Sequence, residues 1–469
     1  MERIEIAPDR WTFRTAGSHS PFVPCGVNYT PGWSGWAPEY INADVFDAGR
    51  IAHDFARMEE LGLNTCKTVF SARNMLPDPQ AGGDVRPDPG VMDRVATITD
   101  LAADHGIRLI WTLSPDWNGF PAWFDRTERW YGAETREIVA GFWRKFAERF
   151  RGDGRILAYS FCVETEIDGW NSPAARKAFQ RWAREQHGSL SDANAAWGQN
   201  FGSWDEVSTP GFDGDNAKDW RDHPEGTDEN ESRTNDPFLY DYQLFRERVA
   251  FQYMHAQTTA VKEVDPGALC TYGAIQWNPI QRMYSAPGFD GPSRGLEYNA
   301  PEIARAVDFM SIHFYPVYPQ PIEGQDGPET NLRYLELWAR WAYAGKPVLI
   351  EEFNMYPAEF NPEWCRRLME DSRRYASGWL SWTFRNTPDS DDITKVCGLL
   401  DESDRLTAWG ETFRELAPQV KAWELRREPA ARTVAADKRF LLTSSGYHAF
   451  IESLMSGSDP VDFRVETNP

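Results

Sequence analysis

Two kinds of apolar pattern alternate along the chain: short unbroken runs of strand length, and longer stretches whose apolar residues recur at helical spacing. Val23–Tyr29 is the first run. The spaced residues Phe46, Ile51, Phe55, Met58 and Leu61 follow it and stop at Gly62. Leu63–Phe70 is the second run. A helix over about 90–104 then ends before Gly106, and a third run, Ile107–Leu113, comes next. A helix over about 134–151 leads to the fourth run, Ile156–Glu164. The fifth is Ala268–Gly273, the sixth Val307–Tyr315, the seventh Lys346–Asn354 and the eighth Gly378–Phe384. Unbroken apolar runs suit parallel strands covered by helices on their faces.

Eight strands alternating with helices predict an α/β fold of the (β/α)8, or TIM barrel, class. A doubly wound open sheet would carry a glycine-rich turn after an early strand, and no such turn is present. Residues 3–24 alternate weakly among turn residues and predict a short N-terminal β-hairpin packed under the barrel. Residues 205–236 are rich in Asp, Gly, Asn, Glu and Pro with little periodicity, which predicts a long loop insertion after strand four. The pattern changes after about residue 421, and Arg426-Arg427-Glu428-Pro429 has the character of a hinge. Residues 1–420 are therefore read as the catalytic barrel, and 421–469 as a small C-terminal extension packing on it.

In this fold chemistry gathers at the C-terminal ends of the strands. Strand four ends in Glu164, with Glu166 two residues on; strand seven ends in Glu351-Glu352. His313 and Tyr315 close strand six, Trp382 lies on strand eight, Lys67 on strand two and Asn28 on strand one. Two carboxylates facing one hollow are what glycoside hydrolysis requires: one protonates the leaving oxygen, the other attacks the anomeric carbon or positions water. Strand alternation places Val348, Ile350 and Glu352 on one face and Leu349, Glu351 and Phe353 on the other. With the first set facing the axis, Glu352 enters the site, and Glu351 turns to the helix layer, where it needs a partner such as an Arg. Glu164 is preferred to Glu166 because it stands nearer the end of the apolar run.

Composition sharpens this picture in three respects. Aromatic residues make up 14% of the chain, with 21 Trp, more than one core needs, and flat rings outside a core line sugar clefts. Trp33, Trp36, Trp117, Trp170 and Trp277 fall in predicted loops where one or two could line subsites. A net charge of −22 argues against nucleic acid and anionic membranes as partners. No 18-residue apolar run exists, and the N-terminus lacks a basic-then-apolar leader, so a cytoplasmic protein is expected. Its six cysteines show no metal or CxxC spacing and read as buried free thiols. With eight His and no His pair closing one strand, a metal-dependent hydrolase built on His313 is disfavoured.

Together these residues resemble clan A of the glycoside hydrolases, the retaining (β/α)8 enzymes that include families 5 and 42. The resemblance covers roughly residues 20–415. Its markers are Gly26-Val27-Asn28-Tyr29, the Glu closing strand four, His313-Phe314-Tyr315, Pro347 through Phe353, and Ser381-Trp382. The stretch from Phe179 through Trp182, Leu190, Asn194, Trp197-Gly198 and Phe201 to Trp204 is similar to the family 42 β-galactosidases, as is Val264-Asp265-Pro266-Gly267. The resemblance implies Glu352 as nucleophile and Glu164 as acid/base. It further implies Tyr315 as hydrogen-bond partner of the nucleophile and Trp382 as sugar platform. Lys67, His313, Asn28, Glu166 and Trp277 complete the candidate sugar-contacting set, with no metal and no organic cofactor. Two departures stand out: Val163 replaces the Asn that usually precedes the acid/base and binds the sugar's 2-hydroxyl, and Lys67 replaces an Arg. The expected activity is retaining hydrolysis of a β-glycosidic bond, exo-acting on short glycosides. An endo-acting glycanase and a sugar-binding barrel without turnover are the alternatives. Neither the sugar nor the oligomeric state is read from the sequence.

Overall fold

The computed structural model describes residues 1–428, apart from 35–36, 82, 115–119, 125–127, 165–166, 168–171, 210–236, 276–299, 316–327, 355–361 and 391–392. The eight predicted runs are all strands: β4 (Cys25–Asn28), β5 (Thr65–Ser71), β6 (Arg108–Ser114), β7 (Ile156–Val163), β8 (Cys270–Ala274), β9 (Met310–Phe314), β10 (Val348–Phe353) and β11 (Gly378–Ser381). Each pairs in parallel with its sequence neighbours, and β11 pairs with β4, closing a barrel in sequence order. This is the (β/α)8 fold expected from the alternation.

Helices wrap the barrel where apolar spacing places them. The helix Ala48–Glu60 starts on Asp47, whose side chain accepts from the Arg50 N–H, and it buries Ile51, Phe55 and Met58. Gly62, at φ +77°, takes the left-handed turn back into β5 at little cost. Helices Pro89–Asp104 and Ala133–Arg149 repeat the pattern before β6 and β7. After β7 two helices capped by Ser172 and Ser189, Pro173–His187 and Leu190–Trp197, share an aromatic cluster with the long helix Pro237–Val264. Phe179 is its hub, in ring contact with Trp182, Trp197, Phe238, Tyr242 and Phe245. The insertion expected over 205–236 falls mostly on residues outside those described. So does the C-terminal extension beyond 428. Its described start packs on the barrel: Trp423 meets the Trp379 ring edge-on at 5.2 Å.

The N-terminal segment forms the expected antiparallel hairpin and extends it by one strand: β1 (Ile4–Ile6) and β2 (Phe13–Thr15) pair, and β3 (Pro21–Phe22) joins β2. The third strand is only two residues long, too short to leave a periodic signal. Ile4, Phe13 and Phe22 form one apolar cluster with Ile110, Leu157, Ala158, Leu269, Phe309, Leu349 and Leu380, residues of the barrel's lower interior. The sheet thus closes the bottom of the barrel, and the axial chemistry is confined to the opposite end. Cys25, Cys66, Cys162 and Cys270 face the helix layer instead, and all six cysteines are buried. No described helix is long and apolar enough to cross a membrane.

The Phe13 ring meets Phe309 edge-on at 5.3 Å and is 1% exposed. Phe13→Ala should therefore cost about 3–5 kcal/mol, seen as a lowered denaturant midpoint. An unchanged midpoint would show that the sheet does not seal the barrel floor.

Candidate active site

Inside the upper barrel, the strands deliver charge where apolar layers would otherwise continue. Lys67 on β5 is fully buried. Its ammonium lies 2.8 Å from Glu352 Oε1 and 3.1 Å from Glu351 Oε2. Both carboxylates come from β10, which strict alternation forbids. The register explains it: Ile350 pairs with Ile312 of β9, and Glu352 pairs with His313, so β10 spends one more residue than β9 over the same step. That extra residue is Glu351. A bulge of this kind re-aims side chains. The expected assignment of Glu351 to the helix layer with an Arg partner is therefore wrong. Leu349, not Ile350, faces the axis below, and Val348 and Ile350 pack in the helix-side core.

His313 sits between the carboxylates. Its Nδ1 lies 2.8 Å from Glu164 Oε1 and 3.2 Å from Glu352 Oε2, and its Nε2 lies 3.2 Å from Glu351 Oε2. The Trp338 indole braces the His313 carbonyl at 3.3 Å. The Tyr315 hydroxyl donates to Glu352 Oε2 at 2.9 Å. Glu164 ends β7 in the left-handed region, φ 45°, with its N–H bonded to the Gly273 carbonyl at 3.0 Å. Such a conformation costs about 1–3 kcal/mol for a non-glycine residue, and strain of this kind clusters at functional sites. Of the three carboxylates Glu164 is the most open, its side chain 22% exposed. An acceptor oxygen of Glu164 and one of Glu352 lie within 4.8 Å of each other.

The electrostatics follow from burial and pairing. Burial and, more weakly, the nearby Lys67 ammonium oppose the charge of His313, yet Glu352, with help from Glu164 and Glu351, outweighs them and lifts the ring to about 9. Burial likewise opposes the Lys67 ammonium, but Glu351 and Glu352 hold its pKa above the usual value. Burial would raise Glu351; Lys67 and His313 reverse this and hold it below the usual carboxylate value. Burial and the Glu352 charge push Tyr315 well above an ordinary phenol, so it remains a donor. The Glu164, His313 and Glu352 donor atoms are close enough to span a cation. The donor set does not suit one: a metal ligand needs a neutral imidazole, and Lys67 already supplies the positive charge at Glu352.

The remaining candidates take different places. Asn28, 1% exposed, gives its amide to the Glu351 carbonyl at 2.9 Å and the Ser381 carbonyl at 3.3 Å, and so ties β4 to β10 and β11 beneath the site. Trp382 stands just beyond β11, 7% exposed, with its indole N–H on Thr394 Oγ1 at 3.0 Å. Val163 and Val69 form a two-residue apolar contact apart from both larger clusters. Val69 follows Lys67 by two and shares its face of β5, and Val163 immediately precedes Glu164. Trp33 packs away from the carboxylates, its indole on Asp54 at 3.2 Å and Arg50 over its ring at 5.4 Å. Glu166, Trp277, Trp36, Trp117 and Trp170 lie outside the described residues. Sequence reasoning missed Glu351 as an interior group and Gly273 as its neighbour; a glycine inside a strand was the available signal.

Comparison with known proteins places this geometry in context. The family model described as beta-galactosidase, glycoside hydrolase family 42, matches residues 126–369, over half of the chain. A beta-galactosidase of Arthrobacter sp. is 24% identical over 158 residues, 32% of this chain, but the match spans only 20% of that protein's length. Among solved structures, the beta-galactosidase of Bacillus circulans sp. alkalophilus superposes with a TM-score of 0.68 at 16% identity, covering 94% of this chain and 65% of its own. The exo-beta-1,4-mannosidase of Opitutaceae bacterium strain TAV5 gives 0.62 at 18% identity, covering 92% and 65%. At such identities the structural likeness is one of fold.

The folded pKa of His313 lies above its unfolded 6.5. Its stabilising contribution is thus complete below pH 6.5 and is lost as pH rises through about 9. The loss should reach about 3 kcal/mol and be missing in His313→Gln, compared by denaturant unfolding at pH 6 and pH 9.5. Parallel pH curves for the two proteins would contradict the charge assignment.

Proposed function

The chain belongs to glycoside hydrolase family 42, and from that premise we propose that it hydrolyses β-glycosides with retention of anomeric configuration. The observation that carries this reading is the approach of Glu164 and Glu352 within 4.8 Å. Retaining enzymes hold their two carboxyl groups about 5–5.5 Å apart, and inverting ones leave room for a water between them.

In this reading Glu352 is the nucleophile. Lys67 and the Tyr315 hydroxyl fix its two oxygens. Glu164 gives its proton to the departing glycosidic oxygen as the anomeric carbon bonds to Glu352. Glu164, now ionised, takes a proton from water as that water attacks the same carbon; the Glu352–carbon bond breaks and both groups return to their starting state. Lys67 and His313 are fully buried, so they act on the carboxylates from beneath and do not touch sugar. Trp382 stays the proposed platform. The sugar is proposed to be a β-galactoside or β-mannoside, since these classes name the related proteins, and cleavage is proposed to be exo-acting on short substrates.

Val163 favours a second reading, a barrel that binds sugar without turning it over. A valine beside the acid/base offers a ring hydroxyl no hydrogen bond, and a hydroxyl desolvated without a partner costs about 1–3 kcal/mol.

Nitrophenyl β-galactoside and β-mannoside should be hydrolysed with the β-anomer of the free sugar seen first by NMR, and activity should survive chelator. Glu352→Ala should fall to background. Glu164→Ala should lose about 10²–10⁴-fold on alkyl glycosides and much less on dinitrophenyl glycosides, whose leaving group needs no proton. First appearance of the α-anomer would overturn retention; binding by calorimetry without turnover would establish the second reading.

A further inference from the structure

Glu351 is a buried carboxylate that the double displacement does not use. It is 0% exposed, so no substrate reaches it, and burying a charge without purpose is costly. The fold makes specific room for it. The β10 bulge turns it inward, and Gly273 on β8 leaves the space it needs. A Cβ at Gly273 would stand 2.8 Å from both Glu351 Oε2 and His313 Nε2. Glu351 Oε2 is the oxygen that faces both Lys67 and His313, while Oε1 has no partner among the described residues. The carboxylate is therefore held for what it does to those two cations.

We propose, resting on the glycosidase reading above, that Glu351 is a positioning residue that keeps a proton on both nitrogens of His313, so that Glu164 directs its own proton at the substrate and not at the ring. The argument is one of hydrogen-bond polarity. An imidazole with one proton, given to Glu351 through Nε2, would leave Nδ1 as a bare acceptor 2.8 Å from Glu164 Oε1. The acid proton of Glu164 would then sit on Oε1, pointing into the protein. With both nitrogens protonated, Nδ1–H donates to Oε1, and the acid proton is left to the other oxygen, on the side away from the ring. The charge count agrees. Among the described residues, the charged groups facing His313 are Glu164 just past β7, Glu351 and Glu352 from β10, and Lys67 from β5; the Tyr315 hydroxyl reaches Glu352. Lys67 and a doubly protonated ring balance Glu351 and Glu352, which leaves Glu164 as the carboxyl that can stay neutral. The lifted pKa of His313 is in keeping with this balance.

The ring state is read directly from imidazole ¹⁵N resonances of the wild-type protein, with His313→Gln for assignment. Both nitrogens should be protonated at pH 7, and titration should follow only near pH 9. In Glu351→Gln, which keeps the shape and removes the charge, the His313 titration should move down by about one pH unit or more. The same variant should lose about tenfold or more on alkyl β-glycosides relative to dinitrophenyl β-glycosides. A side chain that merely fills space would lower both substrates alike. A neutral wild-type ring at pH 7, or equal losses on the two substrates, would overturn the proposal. Should Glu351→Gln fail to fold, the wild-type ring state decides. A failed glycosidase reading would show separately, as absence of wild-type turnover on either substrate.

Discussion

The upper barrel is organised by one constraint: Lys67 must neutralise two carboxylates at once in a place that excludes water. A lone buried charge costs several kcal/mol, and its partners repay this only in good geometry with their remaining hydrogen bonds met. Every nearby feature serves that condition. β5 brings the ammonium up the axis, β10 bulges to bring both acids down to it, β9 adds His313 as a second cation, and Tyr315 satisfies the outer oxygen of Glu352. Lys67 and Tyr315 hold both oxygens of Glu352 with no substrate present. Such preorganised electrostatics are what a developing oxocarbenium centre would exploit.

Lys in place of the usual Arg fits the same constraint. A guanidinium spreads its charge over a fork suited to one carboxylate in two places. The ammonium is a compact point that can stand between two acids on one strand. Lys67 and Glu351 thus make sense together, where either alone would leave a buried charge unmet.

Much of this was legible in the sequence. The eight strands announced themselves because parallel strands covered on both faces are unbroken apolar runs, and Gly62 and Gly106 marked helix ends through a conformation that favours glycine. The meeting of Glu164 and Glu352 at one end of the barrel was legible because acids closing buried strands of one barrel must gather at its C-terminal rim. Glu351 was not. Period-two reasoning assumes an unbroken ladder, and the bulge between Ile350 and Glu352 is set by pairing with β9, which no local pattern records. Asn28 was expected as a sugar contact; that its amide N–H groups also tie three strands together could not be read, because the carbonyls that accept them lie far away in sequence. The third N-terminal strand was lost to its own shortness.

The six thiols carry a last consequence. Free cysteines in a chain are commonly taken as a sign of a reducing compartment, because thiolates oxidise. Here burial pushes the Cys25, Cys66, Cys270 and Cys365 thiols up, Cys25 to about 12, and all six sulfurs are buried. A thiol that neither ionises nor meets solvent is inert to oxidants whatever the surroundings. Those four cysteines thus carry no message about the redox environment, and they pack as small apolar residues that happen to contain sulfur.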